Sequence, residues 1–159
     1  MTTTIKHDRR RIMAWAGTLA AAAGLAPLSI VGAGRADAMA RYRWKNRPLL
    51  VFAPSTDHPM LRRQRALLAG RTAGLRDRDM VVIYVIGSSV SARLGRAPGL
   101  SAAALRRRFG VSPGGFRAIL VGKDTGAKIS SARPLSTGRL FGTIDAMPMR
   151  RREMRQRGS

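Results

Sequence analysis

The amino-acid sequence predicts a small α/β fold, a four-stranded mixed sheet flanked by helices with its elements in the order β-α-β-α-β-β-α. Three observations predict it. Two continuous apolar runs, Leu49-Leu50-Val51-Phe52-Ala53 and Met80-Val81-Val82-Ile83-Tyr84-Val85-Ile86, suit strands buried on both faces. A helix-periodic segment separates them, which makes a right-handed βαβ unit with parallel strands. A third run, Arg117-Ala118-Ile119-Leu120-Val121, stops at Gly122-Lys123-Asp124-Thr125-Gly126, and Ala127-Lys128-Ile129-Ser130 follows at once. That pattern is a strand, a tight turn and an antiparallel partner.

The chain begins with a segment that reads as a leader. Arg9-Arg10-Arg11 precede an uncharged stretch from Ile12 to Gly34, and Ala36-Asp37-Ala38 forms a small-x-small cleavage pattern. A signal peptide over 1–38, cleaved after Ala38, is expected, with an uncleaved membrane anchor as the alternative. The stretch is long enough to span a bilayer but is rich in Ala and Gly and is broken by Pro27. Asp8-Arg9-Arg10-Arg11-Ile12-Met13 loosely resembles the twin-arginine export signal, without the usual Ser before the pair and Lys after it. The expected location is the periplasm or the outside of the cell.

The folded domain is expected over 39–150. Tyr42 and Trp44 lie among basic residues, and the expectation is an aromatic lid packed on the core, with stacking on an arginine or a ligand ring as the alternative. Pro48 starts the first strand. Ser, Thr and Asp in Pro54–Pro59 are good helix caps, and a helix from about Pro59 to Ala73 buries Leu61, Gln64, Leu68, Thr72 and Leu75 on one face. Gly87 to Gly99 reads as a mobile loop. Ser101 caps a short helix, Ala102 to Phe109, that Gly110 ends. Ser136 caps the last helix, whose stripe is Leu140, Phe141, Ile144 and Met147, and Pro148 is expected to end or kink it. Residues 151–159 read as a basic tail. This element order is that of the thioredoxin fold, with an expected strand order of 2-1-3-4 and the Leu49–Ala53 strand central.

Tyr42-Arg43-Trp44-Lys45-Asn46-Arg47-Pro48-Leu49-Leu50-Val51-Phe52-Ala53, Leu120-Val121-Gly122-Lys123-Asp124-Thr125-Gly126 and Ile144-Asp145-Ala146-Met147-Pro148-Met149-Arg150 together resemble the family called domain of unknown function 4174. The resemblance spans roughly residues 42–155, and the Asp-Ala-Met-Pro-Met-Arg segment is its most specific part. It implies a peroxiredoxin-like fold and the extracytoplasmic setting of exported bacterial proteins and vertebrate sushi-repeat matrix proteins. It carries no established activity and no catalytic residue. One departure is visible: Thr125 stands where a second Gly is usual in the turn.

The fold's working site would lie where the first strand meets the first helix, beside the loop entering the third strand. Those segments hold the candidates Ser55, Thr56, Asp57 and His58, with Ser112 and Pro113 opposite. A redox member needs a thiolate at that helix start, and the chain has no cysteine, so thiol peroxidase and disulfide exchange have no nucleophile here. Ser55, Thr56 and His58 leave room for a peroxiredoxin-like enzyme with non-thiol chemistry, although adjacent residues seldom point at one another as a triad needs. The few acidic residues are scattered, so no metal and no cofactor is expected.

Charge supplies the other lead. The formal net charge is +22. Residues 1–38 hold five basic residues against Asp8 and Asp37, so a chain cleaved after Ala38 still carries +19. Such an excess attracts polyanions, yet only four of the 30 basic residues are lysines, the pattern that GC-rich coding also produces. Candidate anion-binding residues are Arg62, Arg63, Arg106, Arg107, Arg108, Arg150, Arg151, Arg152 and Arg155, with Arg65 and Arg157 beside them. The preferred expectation is an exported, non-catalytic thioredoxin-like binding module of unknown ligand. The alternatives are a basic protein that binds a polyanion or an anionic membrane, and the non-thiol enzyme. The expected partner is a protein or an anionic surface, with nucleic acid disfavoured by export and membrane contact open through the leader or the basic surface.

Overall fold

The computed structural model describes residues 37–158, so the leader expected before Asp37 lies outside the described residues. Five strands, β1 (Arg47–Ala53), β2 (Met80–Ile86), β3 (Ser89–Leu94), β4 (Arg117–Val121) and β5 (Ala127–Ser131), form one mixed sheet in the order β3-β2-β1-β4-β5. β1 is central and buried at every position. It pairs parallel with β2 and antiparallel with β4. The four expected strands keep their expected order, and the correction is a fifth. The segment expected as a mobile loop contains β3, which turns back at Gly87 and pairs antiparallel with the edge of β2. Its polar, mostly exposed residues kept the strand hidden in the sequence, since only Val90 and Leu94 tuck partly inward.

Alternation along β1 splits the core in two. Leu49, Val51 and Ala53 face α1 (Pro59–Leu68), α2 (Thr72–Asp77) and α4 (Thr137–Asp145) through Leu61, Leu68, Leu75, Leu140 and Ile144. Leu50 and Phe52 face α3 (Ala102–Phe109) through Leu105, and Met39 and Tyr42 of a single 3₁₀ turn join them. Met39, the first residue after the boundary expected at Ala38, is fully buried.

Three further helix expectations are corrected. The helix read as continuous from Pro59 to Ala73 breaks after Leu68, where Gly70 takes φ +67°, a left-handed geometry that an L side chain resists. Thr72 is exposed at the start of α2. α4 stops at Asp145, ahead of Pro148 as expected, but Pro148 also opens α5 (Pro148–Arg157), sitting at its first position, where a missing N–H costs nothing. The tail is therefore a helix. Inside the first core layer, Gln64 exchanges two hydrogen bonds with the main chain of Leu135, at 3.0 and 2.7 Å, and so locks α1 to the entry of α4.

Candidate functional site

The two ends of the sheet differ in character. At the carboxyl end of β1, Ser55, Thr56 and Asp57 are exposed. His58 is half-buried at the cap of α1, its ring stacked on Phe116 with centroids 5.9 Å apart and planes 5° apart. Its Nδ1 is enclosed without a hydrogen-bond partner, and the link recorded between His58 and Ser55 is main-chain, 3.5 Å from N–H to carbonyl. Ser112 and Pro113 are exposed and line a hollow of about 440 Å³ beside α3, to which none of Ser55–His58 contributes. The structure thus brings these six candidates to one end of the sheet without joining them into an acid–base relay.

Arg106 occupies this end. It is buried, and its guanidinium donates to the carbonyls of Ser112 at 3.0 Å, Ala53 at 3.2 Å and Gly87 at 3.4 Å. The same group lies 5.5 Å from the Phe52 ring. One arginine therefore ties the end of β1, the β2–β3 turn and the loop before β4. A planar fork with five donors suits that task.

At the opposite end, where β1 begins, a network of ion pairs gathers the three segments that carry the family resemblance. Arg47 is nearly inaccessible and forks onto Glu153 of α5. Lys123, from the β4–β5 turn, donates to Glu153 and to Asp79, both at 2.8 Å. Arg78 forks onto Asp145 at 3.0 and 2.6 Å and covers the Phe141 ring. Arg150, also buried, reaches Asp145, the Asp77 carbonyl and the Asp77 carboxylate, and Arg157 joins Asp77 at 3.0 Å. Burial pushes the carboxyls of Glu153 and Asp145 up, but the hydrogen bonds and charges of their cations outweigh it and hold both below the usual range.

Beside this network lies a cavity of about 300 Å³, lined by Trp44, Arg47, Gly122, Lys123, Asp124, Lys128, Met147, Pro148, Met149 and Arg152. Trp44 is the departure from the expected aromatic lid. Tyr42 does pack inward, its hydroxyl donating to the Arg96 carbonyl at 2.7 Å, whereas Trp44 is 62% exposed. Its backbone holds φ +61°, pinned by an N–H bond of 2.8 Å to the Lys123 carbonyl. A Cβ at the neighbouring Gly122 would stand 2.5 Å from Lys128 Cε and 2.6 Å from an Asp124 carboxylate oxygen, so a side chain there would displace the ends of both.

The anion-binding candidates are dispersed. Arg62 and Arg63 lie exposed on α1, on one face of the sheet, and Arg62 donates to the Asp57 carbonyl. Arg107 and Arg108 lie on α3 across the sheet, with Arg108 bonded to the carboxylate of Asp37 and the carbonyl of Thr125. Arg106 and Arg150 are inside the protein and engaged. Arg151, Arg152 and Arg155 are exposed on α5. Among the described residues no group of three or more His, Cys, Asp or Glu side chains is placed to hold a metal ion, and no helix is long and apolar enough to cross a membrane.

Sequence reasoning named Arg152 but missed Trp44, Met147 and Met149 as one site. The signal was present, since all three lie in the segments that carry the resemblance, but nothing in the sequence says that those segments meet in space. Comparison with known proteins bears on the same segments. A family model described as Domain of unknown function (DUF4174) matches residues 38–153. "Coiled-coil domain-containing protein 80" of Danio rerio is 28% identical over 134 residues, 73% of this chain. The chain spans 15% of the length of that relative. No solved structure matches it.

Proposed function

The chain belongs to the family described as Domain of unknown function (DUF4174), and from that premise we propose that it is an exported, non-catalytic binding module on a thioredoxin-like fold. The observation that carries this reading is Arg106. In a redox protein of this fold the carboxyl end of the central strand presents a thiolate. In this chain a buried guanidinium bonds three main-chain carbonyls there, and no cysteine exists to replace it. The order of β2, β1, β4 and β5, with β1 central, also favours the thioredoxin-like assignment, with β3 as an added edge.

Recognition in this reading belongs to the other end, where Trp44 stands exposed over a cavity braced by ion pairs. Export rests on the basic, apolar and small-x-small pattern of residues 1–38, with cleavage after Ala38 or retention as an anchor. The test is an assay of the purified protein for peroxide consumption and disulfide reduction, together with fractionation of the producing cells. Turnover at buffer rates and recovery outside the cytoplasm are expected. Enzyme-like turnover would overturn the reading.

A second reading, a basic protein docking on an anionic surface, is favoured by Arg151 and Arg152 exposed on α5 and by the +22 charge. Against it stands the division of the remaining arginines between two faces of the sheet. Co-sedimentation with anionic but not zwitterionic vesicles, weakening steeply with salt, would establish it.

A further inference from the structure

The Trp44 cavity has the chemistry of a small-ligand site, and we propose that it binds a planar aromatic carboxylate. The ring would lie against the indole of Trp44 and the thioethers of Met147 and Met149, and the carboxylate would pair with Arg152. This rests on the reading of the chain as a binding module and names the ligand class of its recognition end.

Size is the first argument. About 300 Å³ is the low end of small-molecule pockets, room for one fused ring system. The walls are the second. Indole, two methionines and Pro148 are apolar and polarisable, and thioethers and an indole favour an aromatic ring. A saccharide would need polar partners around its hydroxyls. The polar groups here are already engaged: Lys123 with Asp79 and Glu153, and Lys128 with Asp124 at 2.6 Å.

Charge is the third argument. Arg152 lines the cavity, is exposed, and has no hydrogen bond or ion pair among the described residues. The cavity also sits at the amino end of α5, where Met147 supplies no side-chain cap and the helix dipole favours a negative group. One unengaged guanidinium and one uncapped helix start call for a single anionic group attached to the ring.

The strained backbone is the fourth. Trp44 at φ +61° takes a conformation that costs an L residue about 1–2 kcal/mol. It gains little burial in return, since the side chain is 62% exposed. A large apolar ring displayed on strained backbone is accounted for when a ligand covers it.

Calorimetric titration of the full chain with naphthoate, naphthylmethanol and acetate tests the proposal. Naphthoate is expected to bind one-to-one with a Kd of about 1 mM or tighter, naphthylmethanol at least about ten-fold more weakly, and acetate without measurable heat. R152Q is expected to bring naphthoate down to the affinity of naphthylmethanol. W44G, which relieves the strained φ and is expected to give an unchanged circular-dichroism spectrum, is expected to lose about ten-fold for both ring compounds, and W44F to lose less. No heat from naphthoate up to several times 1 mM, or affinities unchanged in both R152Q and W44G, would overturn it. That failure is distinct from failure of the underlying reading: redox turnover would remove the binding module, whereas a flat titration without turnover removes only this ligand class.

Discussion

Arg47 and Glu153 stand 106 positions apart and are joined by a fork of two hydrogen bonds, Nη1 to Oε2 at 3.2 Å and Nη2 to Oε1 at 3.0 Å. The bond runs from the first residue of the central strand to the last helix. It converts a segment that reads as a solvated basic tail into part of the fold. Arg47 has 1% of its side chain accessible, so its charge depends on this partner. Replacing Glu153 by Gln is expected to destabilise the protein by about 2–3 kcal/mol, because the amide keeps one acceptor but leaves the buried cation only Asp79, 3.9 Å away, as a counter-charge. Urea titration checks this. A loss under about 0.5 kcal/mol would mean that Asp79 and the Arg78 carbonyl suffice for Arg47.

The same pair sets the acid response. The folded-state pKa of Glu153 lies below its ordinary 4.5, and that of Asp145 below its ordinary 3.8. Depressed carboxyls stabilise the fold fully above their ordinary values, and the stabilisation is lost as pH falls through the lowered ones. The wild-type protein is therefore expected to lose stability from about pH 4.5 downward, with a shallower slope in E153Q. Melting temperatures across an acidic series read it, and parallel slopes would place the acid sensitivity in other groups.

Arg106 governs the opposite end. Arg106→Gln removes the side-chain links to three carbonyls, of which Ala53 keeps the Gly87 N–H and Ser112 keeps the Gly115 N–H, and is expected to cost about 1–3 kcal/mol. Arg106→Lys is expected to recover less than half of that, since an ammonium cannot span three acceptors in one plane. Full rescue by Lys would mean that charge beside Phe52, and not the fork, is what the site needs.

The edge strand supplies a dynamic contrast. β1 is paired on both sides and buried throughout, whereas β3 pairs with β2 alone and is mostly exposed. Hydrogen exchange is expected to leave Leu49–Phe52 protected to the limit of global unfolding and to strip Ser89–Leu94 orders of magnitude faster. Equal protection would mean that β3 opens only with the whole sheet.

That contrast also explains what the sequence could show. Leu49–Ala53 and Met80–Ile86 are legible because central strands are apolar at every position, and βαβ handedness then orders them. β3 is not, because a solvated edge strand needs only the backbone of β2, and Ser89-Val90-Ser91-Ala92-Arg93-Leu94 has the composition of a loop. Pro148 is ambiguous for a related reason, since a proline that ends one helix can begin the next. The Trp44 cavity is the least legible of all. It is assembled from three segments across most of the domain, and its defining feature, a positive φ at a tryptophan, has no signature in composition.

The β4–β5 turn offers the sharpest test of local strain. Thr125 occupies φ +67°, where a β-branched residue is an outlier, and its N–H closes a turn onto the Gly122 carbonyl at 2.9 Å. Gly126 N–H is met by the Asp124 carboxylate at 3.1 Å, and Arg108 reaches the Thr125 carbonyl at 3.2 Å. None of these bonds uses the Thr125 side chain, so Thr125→Gly keeps them. The substitution removes about 1–2 kcal/mol of left-handed strain and forfeits about 0.8 kcal/mol for each of the two buried carbons, Cβ and Cγ2, since Thr125 is 7% exposed. The two sides nearly cancel, so the melting temperature is expected to move by less than about 3 °C. A larger rise would show that strain outweighs packing at Thr125, and a larger fall that its side chain contributes more to packing than its backbone costs.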